Sequence, residues 1–243
     1  MPSLLLGIVH RGSFALALWG LALGSAAAAG VPNPAASATA DPAPGYATPL
    51  NPSTRELDVF RKTWDGLTNY SETIVAHETS NDGKHVEDRT YRYAFVKPQN
   101  ALIVITAGPG RGGGVAWHGG PTVRGHKGGL LSMIKLTLSK NDPQVVSLRG
   151  DTVEDASFGH ELDRYATIPG TLVDGKAADG SPTVTLVPTS PEASGVTREM
   201  LTFARNGLPS KREQFVRERS VKVETFTDVK IDDPKLTVAD IEI

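Results

Sequence analysis

The sequence predicts a mainly β protein of the α+β class, built on a single large, curved antiparallel sheet. Three observations predict it. Apolar and aromatic residues alternate with a period of two, as Tyr91, Tyr93 and Phe95 do against Arg92 and Ala94. Hairpin dipeptides such as Asp82-Gly83 and Asn206-Gly207 separate these runs. Only two segments carry a helical period, so helices can cover one face of a sheet and no more.

Composition bounds the class. The 243 residues carry a net charge of −2, with 39% hydrophobic and 21% charged residues, which suits a folded globular chain and does not call for nucleic acid. There is no Cys, which excludes disulfides, thiolate metal sites and a lipid anchor on Cys. Residues 1–29 have the layout of a secretory signal peptide. Arg11 precedes the apolar run Phe14–Leu23, and Ala27-Ala28-Ala29 supplies a cleavage pattern. The expected destination is the periplasm. Residues 30–52 are rich in Pro and Ala and read as a flexible linker. One domain is expected over 53–231, followed by a C-terminal tail over 232–243.

A helix is expected from Ser53 to Leu67. Ser53 and Glu56 form a capping-box pattern, and Leu57, Phe60, Trp64 and Leu67 recur on one face. Tyr70–Ser80 is the first strand, Asn81-Asp82-Gly83 its turn, and Lys84–Lys97 the return strand, ended by Pro98. Ala101–Ala107 is a continuous apolar run and predicts a strand buried on both faces. Between Gly108 and Gly129, ten of twenty-two residues are glycine. They read as turns and bends around a short strand at Gly114–His118, shaping the wall of a cavity. Leu130–Leu138 is expected as a strand, with a helix as the alternative.

In the second half, Asp151 or Thr152 is expected to cap a helix through Val153, Phe158, Leu162 and Tyr165, stopped by Pro169-Gly170. Thr171–Val173, Thr183–Val187, Thr197–Arg205, Leu208–Arg217 and Ser220–Ile231 are then strands. In the last of these, Val221, Val223, Thr225, Thr227 and Val229 are taken as the buried face. Lys222, Glu224, Asp228 and Lys230 are taken as the wet face, interrupted by Phe226. The mixed-charge cluster Lys211, Arg212, Glu213, Arg217, Glu218 and Arg219 reads as a solvated surface. The total is about 10–11 strands and about two helices.

No catalytic constellation emerges. Gly108, Gly110 and Gly113 match a dinucleotide-binding glycine pattern, but a strand and not a helix follows, so no helix amino end is placed to hold a pyrophosphate. The histidines, His118 and His126 among them, lack the i, i+4 spacing of a zinc helix. Ser157, His160 and Asp163 lie on one short segment with no strand–turn–helix elbow, unlike a hydrolase triad. The expectation is a non-enzymatic protein with no cofactor and no metal.

The order of elements resembles the LolA/LolB-like superfamily of periplasmic carriers. The matching parts are the helix Ser53–Leu67 before the first long strand, the segment YRYAFVKPQNALIVI, the glycine-rich turns, the middle helix and the Asn206-Gly207 hairpin. It is similar, too, to related exported domains of unknown function with that fold. The resemblance implies an unclosed β-barrel of about 53–231, with helices as a lid over an apolar cavity that takes a lipid, a lipoprotein or another amphiphile. No residue here matches the lid-latching arginine of the true carrier. The candidate cavity residues are Tyr91, Tyr93, Phe95, Ile103, Trp117, Phe158 and Leu162. A monomer is expected. The alternative is a β-rich interaction module that binds an envelope protein instead of a lipid.

Overall fold

The computed structural model describes residues 51–243. The signal-peptide expectation, and that for the linker up to residue 50, lie outside the described residues. Among the described residues no helix is long and apolar enough to cross a membrane.

The first helix, α1 (Arg55–Gly66), begins one residue later than the capping pattern suggests. Thr54 is the N-cap and its hydroxyl accepts from the Leu57 amide, while Ser53 instead donates to Asp58 at 2.6 Å. Its stripe of Leu57, Phe60 and Trp64 is buried, together with Leu67 just beyond its end. The strands follow as β1 (Asn69–Thr79), β2 (Val86–Val96), β3 (Asn100–Ala107), β4 (Gly114–Trp117), β5 (Thr122–His126) and β6 (Lys135–Ser139). Then come α2 (Phe158–Thr167), β7 (Gly170–Lys176), β8 (Pro182–Pro188), β9 (Arg198–Phe203), β10 (Pro209–Val216) and β11 (Arg219–Ile231).

All eleven strands form one antiparallel sheet in the order β6-β5-β4-β3-β2-β1-β11-β10-β9-β8-β7. Two meanders thus join through the pairing of the first strand with the last, where Ile74 faces Phe226 and Glu78 faces Lys222. β6 and β7 remain free edges, so the barrel is unclosed. The two helices cover part of its inner face, as the strand count and the scarcity of helical periods predict. After β11 the chain packs back: Asn69 Nδ2 donates to the carbonyls of Asp233 and Leu236, and Ile241 is fully buried.

Several local expectations are corrected. α2 is capped by Ser157, whose hydroxyl accepts from the His160 amide, and not by Asp151 or Thr152; residues 153–156 are turns. Ser157 thereby has a helix-capping role, and His160 faces Asp155 at 3.3 Å. β5 falls in what reads from sequence as a glycine turn, because Pro121 and Gly125 mask a strand of only five residues. Leu130–Leu138 is a 3-10 turn (Gly129–Leu131) leading into the short β6. β3 is mostly half-buried and not covered along both sides; on its outer side the C-terminal segment reaches the neighbouring strands through Glu242, which pairs with Arg124.

The largest correction concerns β11. The inward residues are Lys222, Glu224 and Phe226, the face read from sequence as wet. Arg212, read as solvated surface, is 2% exposed. The charges are tolerated inside because each meets a partner there.

Candidate functional site

The inner face of the sheet divides into two halves. One half is filled. Phe60, Trp64, Tyr70, Tyr93, Phe95, Phe158, Phe203 and Phe226 make a continuous set of ring contacts beneath α1 and α2. The other half, over β1–β6, holds a half-open cavity of about 540 Å³. That volume is in the range of small-molecule sites.

The cavity wall is mainly apolar. Ile74, Tyr91, Ile103, Ile105 and Val115 point inward from β1–β4, and Leu136 and Leu138 from β6. Its roof is the irregular segment around Val145, Val146, Val153 and Ala156. Glycines 110, 113, 114, 125 and 128 also line the wall. At Gly128 an added Cβ would lie 2.0 Å from the Arg111 carbonyl oxygen, so two glycine turns touch there. At Gly125 an added Cβ would find only ordinary contacts, 3.5 Å and beyond; glycine there leaves room instead of meeting a backbone demand.

The candidate residues from the sequence separate accordingly. Tyr91 and Ile103 line the cavity. Tyr93, Phe95, Trp117, Phe158 and Leu162 are buried in the core cluster and do not line it. Period-two alternation identifies the inner face but cannot say which part of that face the helices fill.

The polar end of the cavity was not legible in advance. Lys222 Nζ lies 3.1 Å from Glu78, 2.5 Å from Asp151 and 3.0 Å from Glu224. Desolvation of Lys222 is outweighed by these three carboxylates, which hold its pKa well above the ordinary lysine value. Burial alone would push the Asp151 carboxyl up, but Lys222 and Arg212 hold it well below the usual range. Glu78 also accepts from the Leu148 amide, and Arg149 donates to the carbonyls of Thr79 and Ser194. These polar contacts fasten the cavity roof to the sheet.

Next to it, Arg212 contacts Glu161 at 2.7 Å, Glu199 at 3.1 Å and Glu224 at 3.3 Å. Arg164 reaches Glu199 at 3.0 Å and Glu192 at 2.9 Å. Two contacts, Glu161–Arg212 and the ion pair Arg164–Glu199, therefore hold α2 to the sheet. Burial, with the charges of Glu199 and Glu224 nearby, pushes the Glu161 carboxyl up to about 8 against the pull of Arg212 and Arg164. Glu199 has two guanidinium groups and a Gln214 amide, which overcome burial and hold it well below the usual value. One signal in the sequence pointed here. Phe226 sits two residues beyond Glu224 on the same side of β11, so an aromatic ring marked the charged face as the inner one.

Glu72 stands apart. It is 2% exposed, opposite Tyr93 across β1–β2, and neither carboxylate oxygen has a hydrogen-bond partner. Burial, and then the charge of Glu224, raise its pKa well above the ordinary value, which disfavours its charged form beside the aromatic core. Among the described residues no group of three or more His, Cys, Asp or Glu is arranged to hold a metal ion.

No protein-family model matches the chain, and no curated protein matches it by sequence. Solved structures similar to it include a DUF1329 family protein from Desulfovibrio piger, at 14% identity and a TM-score of 0.44, covering 79% of this chain and 98% of that one. A domain described as an outer membrane lipoprotein-sorting protein, from Vibrio parahaemolyticus, is similar at 14% identity and a TM-score of 0.42, covering 76% and 95%. A LolA superfamily protein from Nitrosomonas europaea is similar at 12% identity and a TM-score of 0.38, covering 79% and 99%.

Proposed function

We propose that the protein is an exported, non-enzymatic carrier or sensor that holds an apolar ligand, the acyl part of a lipid or of another amphiphile, in the cavity over β1–β6. The observation that carries this reading is the unfilled 540 Å³ space walled by Ile74, Tyr91, Ile103, Ile105 and Val115, beside a core that is otherwise closely filled. Burying apolar ligand surface there contributes about 25 cal/mol per Å². The roof, fastened by Lys222, Glu78 and Arg149, keeps the space from collapsing when empty. An interaction module would need no such interior space.

Native mass spectrometry of the purified protein and titration with a dansyl-labelled fatty acid test the reading. The expected result is a co-purified amphiphile, or saturable uptake that Ile103→Trp and Val115→Trp abolish while thermal unfolding stays cooperative. Neither a co-purified amphiphile nor any uptake would overturn it.

A further inference from the structure

We propose that the turn between β5 and β6, with Lys127 before it and Lys135 at the start of β6, docks the protein on an anionic lipid surface. Leu130 is 99% exposed, Met133 90%, Ile134 54% and Leu136 40%. The other large exposed apolar residues, such as Val59, Val75 and Val173, are scattered over separate elements. Single exposed apolar residues are ordinary, but a cluster at one tip is not. β6 is a free edge of the sheet, and the 3-10 turn at Gly129–Leu131 precedes it in the chain.

The chain that forms this rim is rich in cations. From Arg89 to Asn141 the chain has eight Lys or Arg and no Asp or Glu, although the whole protein carries −2. Arg89, Arg124 and Lys140 are paired with Glu87, Glu242 and Glu154. Arg111, Lys127 and Lys135 have no carboxylate partner among the described residues. Arg111 belongs to the same rim as Lys127, because its carbonyl presses against Gly128. Apolar tips between unpaired cations suit the boundary of an anionic bilayer, where the side chains enter the acyl region and the cations meet lipid phosphates. A second copy of the chain suits it less. A two-fold contact would bring the same cations of both copies together. The surface stands whether or not the cavity holds a ligand, although Lys127, Gly128 and Leu136 also line the cavity, so docking would bring its mouth to the lipid.

Sedimentation with vesicles tests this, using phosphatidylcholine alone and phosphatidylcholine mixed with phosphatidylglycerol. Binding to the mixed vesicles, weakened by salt, is expected. The double variant Leu130→Asp, Met133→Asp should lose it with an unchanged unfolding midpoint, since both side chains lie in solvent. Lys127→Gln and Lys135→Gln should each weaken it about fivefold. Ile103→Trp, which fills the cavity, should leave vesicle binding intact. Failure to bind either vesicle, or equal binding to both, would overturn the proposal. Self-association that the double variant abolishes, without vesicle binding, would assign the patch to a second copy and overturn it equally.

Discussion

Phe158 stacks on Tyr70 with ring centroids 4.6 Å apart, and its amide N–H donates to the same tyrosine's hydroxyl at 3.0 Å. Tyr70 on β1 thus both packs against α2 and satisfies one of the orphan amides at its start, beside the cap made by Ser157. Tyr70→Phe keeps the stack and strands that amide in a dry core. The expected cost is about 1–3 kcal/mol by urea unfolding. A loss well under this would mean that the hydroxyl contributes nothing to placing α2.

Arg212 joins three carboxylates that have little access to water. Arg212→Met leaves them facing one another, with only part of their charge met by Arg164 and Lys222. A loss of about 3–5 kcal/mol is expected, and Arg212→Lys should recover part of it. An unfolding midpoint that did not move would show that the cluster is neutral or hydrated.

Glu161 gives stability a dependence on pH. Its folded pKa is raised, so folding takes up a proton. The stability this brings is complete below the ordinary carboxylate range and declines as pH climbs from there through about 8. Glu199, with a depressed pKa, acts the other way: its contribution is present above the ordinary range and fades in acid. Glu161→Gln is expected to remove the alkaline decline, gaining at least about 1 kcal/mol on the wild type between acid and mildly alkaline buffer. Parallel stability profiles for the two proteins would refute this.

Glu72 is a buried acid without a partner. An apolar side chain of similar length should do better there. Glu72→Met is expected to raise stability by about 1–3 kcal/mol, read as a higher urea midpoint. Destabilisation by this change would place a bound group or water on Glu72.

The two kinds of glycine in the cavity wall should respond oppositely. Gly125→Ala meets only ordinary contacts and stiffens the unfolded chain, so stability should hold or rise by about 0.5 kcal/mol. Gly128→Ala drives a Cβ into the Arg111 carbonyl and should destabilise the protein by more than that. Thermal unfolding of the pair checks it; equal midpoints would contradict the close approach of the two turns.

Much of the fold was legible. The helical stripe Leu57, Phe60, Trp64 and the hairpins at Asp82-Gly83 and Asn206-Gly207 follow from local geometry, and local geometry is written residue by residue. The strand at Thr122–His126 was hidden because glycine and proline carry a strong turn signal over so few residues. Of the candidate site, Tyr91 and Ile103 were found in the cavity wall, whereas Trp117 and Phe158 have the same pattern and lie in the core.

The sequence by itself determined a meander of antiparallel strands too long to lie flat, with helices enough to cover only part of it. Periodicity and turn chemistry act between near neighbours, and they suffice for that. Only the tertiary structure decided that Lys222, Glu224 and Arg212 point inward. A charged residue is buried when its partners wait inside, and those partners, Glu78, Asp151, Glu161 and Glu199, come from four other places in the chain. The same holds for the cavity, whose walls and roof are close in space and far apart in sequence.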